Sequence, residues 1–407
     1  LEPTLEQSSM GKLIVLDSSD EGAPTPFLRG ILTRSLRNVG IDFKAAYALS
    51  SSIKEELEGR ESLTTAELRA ETARRLDNIY PVELVGRYRN PAPIRRTTLI
   101  SHKDSDQVSP FSLHQHTRCM HASGLSPLAA TTITTELFQY LHDKEVVEMD
   151  SDALGRLTCR IIHNHCGDEA VQRYLTWTHF SRSDEPIHIL IGGATGTGKS
   201  TIATEVAHRF GIVRTQSTDM LREVMRVMIP HALLPMLHSS SFEAWRSQPR
   251  TNEQADTPSN DEIISGYLTQ SKEVSVSSDA IIQRARRENV SLVLEGINNH
   301  PTRMREIAEN CDGLVVPLML AIIKRKDLHK RISGRGEEST LRRAKRYLKN
   351  FDAILALQNF LLDDADQQNI PIIHNEDQEE TIEQVMLAIN DVLAPHFATT
   401  ESELFPK

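Results

Sequence analysis

"IHILIGGATGTGKSTIATEVAHRFG", residues 187 to 211, reads as a short apolar strand, a glycine-rich turn and an amphipathic helix in direct succession. The turn contains Gly193-x4-Gly198-Lys199-Ser200, a complete Walker A pattern in its proper context. Such a loop must turn tightly and bring backbone N–H groups onto a phosphate, and a side chain at the glycine positions would block that approach. The helix that follows aims its free N–H groups and positive dipole end at the same anion. Gly193, Ala194, Thr195, Gly196, Thr197, Gly198, Lys199, Ser200 and Thr201 are therefore the nucleotide-binding candidates. Lys199 supplies a point charge and Ser200 a hydroxyl for Mg²⁺, so ATP and Mg²⁺ are the implied cofactors.

Downstream of this stretch, short apolar runs alternate with longer amphipathic segments: "GIVRTQST" (211 to 218), "SLVLEG" (291 to 296), "GLVVPLML" (313 to 320) and "IPIIH" (370 to 374). Continuous apolar runs separated by helical patterns predict βαβ units around a buried parallel sheet, so this half is an α/β domain. Strand C-termini in such a sheet face the ligand crevice. Glu295 ends "SLVLEG" where a metal-orienting acid belongs, or is a solvated strand-end carboxylate. Asp219, with Arg222 three residues on in "STDMLREVMR", follows the second run. Asp219 reads as a base for a substrate hydroxyl and Arg222 as an anion grip, with helix N-cap as the other reading of Asp219.

Two further segments add candidates. The polar stretch from His238 to Arg246 offers His238, Ser239, Ser240 and Arg246 to a phosphate or carboxylate, or is a surface turn. "KRKDLHKRISGRGEESTLRRAKR" (324 to 346) carries ten Lys/Arg against three Asp/Glu. It reads either as a solvated helix face or as a lid closing Arg331 and Arg335 over the transferring phosphoryl group.

Upstream lies an internal repeat. Residues 13 to 57 align without gaps on 97 to 141 at an offset of 84, with nine identities among 45 positions, including Pro26/Pro110, Phe27/Phe111, Gly40/Gly124 and Ala46/Ala130. The match resumes at offset 86 through Leu68/Leu154, Thr72/Thr158 and Tyr88/Tyr174. Each copy predicts a strand-like start followed by about four helices. "RNPAPIRR" (89 to 96) reads as a linker and "HFSRSDEP" (179 to 186) as a second boundary, giving modules at 11–90 and 95–180 and an α/β domain at 186–396.

Composition limits the function classes. A chain of 407 residues has material for more than one core, and a net charge of −10 opposes general binding to nucleic acid. No apolar run approaches the roughly 18 residues needed to cross a bilayer, and "LEPTLEQSSMGKLIVL" lacks the form of a secretory signal. Four scattered cysteines point to a reducing cytoplasm rather than a disulfide framework. Cys159, His163, His165 and Cys166 have zinc-ligand chemistry, yet helical spacing does not bring both histidines to one face.

With Walker A, "STDMLREVMR", "LHSSSFEAWR" (237 to 246), "GYLTQ" (266 to 270), "LVLEGIN" (292 to 298) and "RYLKNFDAILALQNFLLDDADQQNIPII" (346 to 373) in order, residues 187 to 394 resemble the 2-phosphoglycerate kinase family. "PFLRGILTRSLRNVGIDFKAAYALSSSI" (26 to 53) resembles the ATP-cone module that precedes the kinase domain there. The resemblance implies a P-loop kinase domain behind two tandem, mainly helical ATP-cone-like modules. It implies ATP-dependent phosphorylation of 2-phosphoglycerate to 2,3-bisphosphoglycerate, on a small phosphorylated acid with no nucleic-acid or membrane partner. The repeats would serve as regulator or homo-oligomer contact. Another anionic acceptor, such as an inositol phosphate or a nucleotide, and an ATP-dependent sensor or switch are the alternative readings. Two departures stand out: the polar insertion "RSQPRTNEQADTPSNDE" (246 to 262), and the absence of a Lys-Arg-x-Gly sequence from the hairpin "KLIVLDSSDEGAP" (12 to 24).

Overall fold

Leu63, alone between Ser62 and Thr64, is too short a signal to mark a strand in the sequence, yet it is the buried centre of one. In this computed structural model, residues 13–16, 25–57, 60–77, 79–89, 98–102, 108–249, 257–311, 313–338 and 341–406 are described. The chain divides into two compact units, Leu1–Thr97 and Thr98–Lys407. In the first unit β1 (Ile14–Leu16) pairs antiparallel with β2 (Thr25–Pro26) and parallel with β3 (Ser62–Thr64). Helices Arg29–Asn38, Phe43–Glu56, Thr65–Leu76 and Val82–Arg89 enclose a core of Leu36, Ile53, Leu63, Leu76 and Tyr88. Asp42 caps the second of these helices, and Thr64 with Glu67 closes a capping box on the third.

The second unit begins with the same plan. Strand β4 (Leu99–Ser101) pairs antiparallel with β5 (Val108–Pro110) and parallel with β6 (Glu148–Asp150). Helices Leu113–Ala122 and Pro127–Asp143 precede β6, and a long helix Ser151–Arg182 follows it. Gly167, at φ 79° and ψ −177°, interrupts the long helix at the position of Pro81 in the first repeat, so four helical segments are present in both copies. The gapless alignment fails in one place. Pro26 pairs with Ile14 and Pro110 with Leu99, so the first strands correspond at an offset of 85 and the second hairpin is one residue shorter.

The α/β part follows the five predicted runs: β7 (Ile187–Gly192), β8 (Arg214–Ser217), β9 (Leu292–Glu295), β10 (Leu314–Ala321) and β11 (Ile372–His374). They form one parallel sheet in the order β11-β10-β7-β9-β8. Ile187, Ile189 and Ile191 join one core with Ile202, Val206 and Ile389, whereas Leu190 and Leu294 join another with Tyr267 and Leu357, so both faces are covered. Trp177 and Phe180 of the second repeat belong to the first of these cores, and the second repeat and the sheet thus lie in one unit. Segment 400–406 returns to that repeat. Phe405 is 1% exposed, Arg156 Nη1 donates to its carbonyl at 2.8 Å, and Arg182 Nη1 donates to Leu404 O at 2.9 Å. Among the described residues, no helix is long and apolar enough to cross a membrane.

Candidate active site

The strand register brings the ends of β7, β9 and β8 level, because Ile191 pairs with Glu295 and Glu295 with Ser217. The chain leaves β7 toward β8 on one side and later crosses to β10 on the other, so the crevice at these C-terminal ends is the topological switch point. The glycine-rich loop fills it. A Cβ at Gly193 (φ 140°) would stand 2.4 Å from Leu320 O, and one at Gly198 (φ 87°) 2.4 Å from the Asn375 amide nitrogen. The first contact is with the backbone of β10 and the second with an amide that bonds the loop, and both glycines have positive φ, so glycine is required at each.

Lys199 is 8% exposed, and its Nζ donates to Ala194 O at 2.8 Å across the loop. Thr197 Oγ1 donates to the same carbonyl, and Asn375 Nδ2, beyond β11, donates to Thr197 O at 2.7 Å. Asn375 thus braces the loop, a contact that sequence reasoning missed. Ser200 Oγ donates to Glu295 Oε1 at 2.9 Å, and Glu295 is 6% exposed, so its carboxylate is a buried acceptor rather than a solvated strand end. A hydroxyl and a carboxylate in contact form a hard-oxygen donor pair that suits Mg²⁺, an ion that keeps water and phosphate as its other ligands.

A cavity of about 770 Å³ opens beside the loop. Thr195, Gly196, Lys199 and Ser200 line it together with Asp219, Arg222, Ser240 and Glu295, four elements converging on one space. Asp219 lies in the first turn of helix Thr218–Met228, whose N-cap is Ser217, so its carboxylate is not spent as the cap; it is 59% exposed and 3.9 Å from Arg222 Nε. Arg222 is differently placed from the grip expected of it. Its Nη1 donates to Leu237 O at 3.1 Å and Ser239 O at 2.7 Å, and Nη2 lies 3.4 Å from Glu223 Oε1, so one arm of the guanidinium holds the 237–239 turn and the other faces Glu223.

The remaining candidates separate. His238 lies against Ile229 O and the His231 ring, Ser239 Oγ donates to Met236 O, and Arg246 lies over Trp245; none of the three lines the cavity. Arg331 stands on the other side of the loop, in helix Arg325–Glu338, with Nη2 donating to Glu376 O at 3.0 Å. Its Nη1 is 3.4 Å from where a Gly198 Cβ would lie. The Arg335 side chain lies outside the described residues. Arg226 and Arg346 line the cavity although the sequence reading named neither. In the Cys/His group, His163 pairs with Asp168 and His165 with Glu136, and burial pushes the Cys159 thiol up to about 12, away from the thiolate a metal requires. Among the described residues, no group of three or more His, Cys, Asp or Glu is placed to hold a metal ion.

No family model matches the chain. Curated relatives do. It is 34% identical over 286 residues to the 2-phosphoglycerate kinase of Methanopyrus kandleri, a match covering 70% of this chain and 85% of that one. The 2-phosphoglycerate kinase of Pyrococcus horikoshii is 36% identical over 282 residues, covering 69% and 90%. That of Methanocaldococcus jannaschii is 34% identical over 286 residues, covering 70% and 89%. With this identity over most of the relatives' length, and with a glycine-rich loop and strand-end acid at one parallel-sheet crevice, the chain belongs to the 2-phosphoglycerate kinase family.

Proposed function

We propose that the chain transfers the γ-phosphoryl group of ATP to the free hydroxyl of 2-phosphoglycerate, giving 2,3-bisphosphoglycerate and ADP. The observation that carries this reading is the shared cavity, where the phosphate loop, the Ser200–Glu295 pair and the accessible Asp219 carboxylate all face one space. Residues 193 to 201 cradle the phosphates, and Lys199 exchanges its bond to Ala194 O for phosphate oxygens. Ser200 and Glu295 would hold Mg²⁺, which would supply charge neutralisation for the transferring group. Asp219 accepts the hydroxyl proton as the oxygen attacks phosphorus, and the bond to the ADP oxygen breaks. Arg222 orients the 237–239 turn that carries Ser240 to the cavity, and Arg331 covers the phosphates from the opposite side.

The modules at 11–90, 95–180 and 186–396 are read as two ATP-cone-like regulators, also the site of any homo-oligomer contact, and a cytoplasmic kinase. The test of the activity is Lys199→Ala. Loss of the ammonium should lower kcat by about 10²-fold or more with an unchanged circular dichroism spectrum. Near-normal turnover in the folded variant refutes the assignment.

A further inference from the structure

Among the described residues, four cationic side chains line the 770 Å³ cavity, and they are not equally free. Lys199 belongs to the phosphate loop, and Arg222 has Nη1 on the Leu237 and Ser239 carbonyls and Nη2 against Glu223. Arg226 lies one helical turn beyond Arg222, 43% exposed, with Nη2 2.5 Å from Glu223 Oε2. Arg346 reaches the cavity from helix Leu341–Lys349. Its Nε donates to Glu243 Oε2 at 2.8 Å and its Nη2 bonds the same oxygen, while Nη1 makes no bond among the described residues. Asn350 Nδ2 donates to the other Glu243 oxygen at 3.2 Å, and the Phe242 ring lies 5.9 Å from the guanidinium.

We infer that Arg346 and Arg226 form the anion clamp that selects the acceptor, each holding one of the two acid groups of a small phosphorylated acid. The inference rests on the functional reading above and adds the residues that make it specific. The cavity also presents the carboxylates of Asp219, Glu223 and Glu295, so an acceptor with both a phosphate and a carboxylate needs more than one free cation on its own side. Arg346 is built for this task. Glu243, with a side chain only 12% exposed, fixes one edge of the guanidinium, so the other edge meets an oxyanion without first losing much side-chain freedom. Glu243 is thus a positioning residue, and it acts through Arg346.

The experiment measures KM for 2-phosphoglycerate and for ATP in the full chain, Arg346→Gln, Arg226→Gln and the charge-keeping Arg346→Lys. It also measures inhibition constants for glycerol 2-phosphate, which lacks the carboxylate, and glycerate, which lacks the phosphate. Each glutamine variant should raise KM for 2-phosphoglycerate roughly 10- to 100-fold and leave KM for ATP within about twofold. Each should also weaken only the inhibitor that retains its partner group, and lysine at 346 should recover part of the loss because the charge stays and the fork is gone. Equal losses with both inhibitors, or a shift that falls on ATP, overturn the clamp. Inactivity of the unaltered chain toward 2-phosphoglycerate overturns the functional reading before any variant is made, so the two failures are distinct.

Discussion

The two repeats share a sheet topology and helix order, and they differ in what occupies the hollow between hairpin and helices. In the first repeat a cavity of about 260 Å³ is lined by Val15, Phe27, Leu32, Leu68, Arg69 and Tyr88. In the second, Phe405 stands against Gly155 and Tyr174, the counterparts of Arg69 and Tyr88, with ring centroids of Tyr174 and Phe405 6.4 Å apart. The shared framework explains which identities survive. Ala46 and Ala130, Thr72 and Thr158, and Tyr88 and Tyr174 are buried in both copies, and Gly40 and Gly124 both have positive φ. The divergent positions decide occupancy. A Cβ at Gly155 would meet the Phe405 ring at 2.4 Å, so glycine there admits the segment at 400–406, and the first repeat has Arg69 at the corresponding position.

Three substitutions break or sharpen this contrast. Both tryptophans, 177 and 245, belong to the unit Thr98–Lys407, so their fluorescence during urea unfolding of the full chain reports on that unit alone. Gly155→Arg, which gives the second repeat the residue of the first, should be the most damaging. It expels Phe405 and with it the Arg156 and Arg182 bonds to the segment, at a cost of about 4 kcal/mol or more. Phe405→Ala keeps those backbone bonds and empties the hollow, for about 3 kcal/mol. If it leaves the fluorescence transition unmoved, Phe405 does not support the second repeat. Arg69→Ala should leave that fluorescence transition unmoved and change the stability of its own unit, followed by far-ultraviolet circular dichroism, by less than about 0.5 kcal/mol, because its side chain is exposed at the cavity's edge. A large effect there would mean that Arg69 stands in for the missing phenylalanine.

The same contrast shows what could be read from the sequence. β7, β9 and β10 were legible because each is an apolar run buried on both faces, and the glycine-rich loop because glycine, lysine and serine have fixed spacings there, whereas β8 is the polar, part-exposed "RTQS" and was marked only by the apolar residues before it. β3 and β6 were not, since three residues cannot display a period. Phe405 lies in "ESELFPK", which has no pattern to suggest burial. Arg222 was read from spacing, and spacing says nothing about the Leu237 and Ser239 carbonyls that take its guanidinium. Arg346 is one of ten basic residues between 324 and 346, and only the cavity and Glu243 distinguish it from its neighbours.

The bond from Asn375 to Thr197 spans 178 residues. The glycine-rich loop is translated early and finished late, because its anchor Asn375 is absent until β10, β11 and everything between them have been made. A nascent chain that has just passed residue 211 carries the whole Walker A sequence without the amide that braces it.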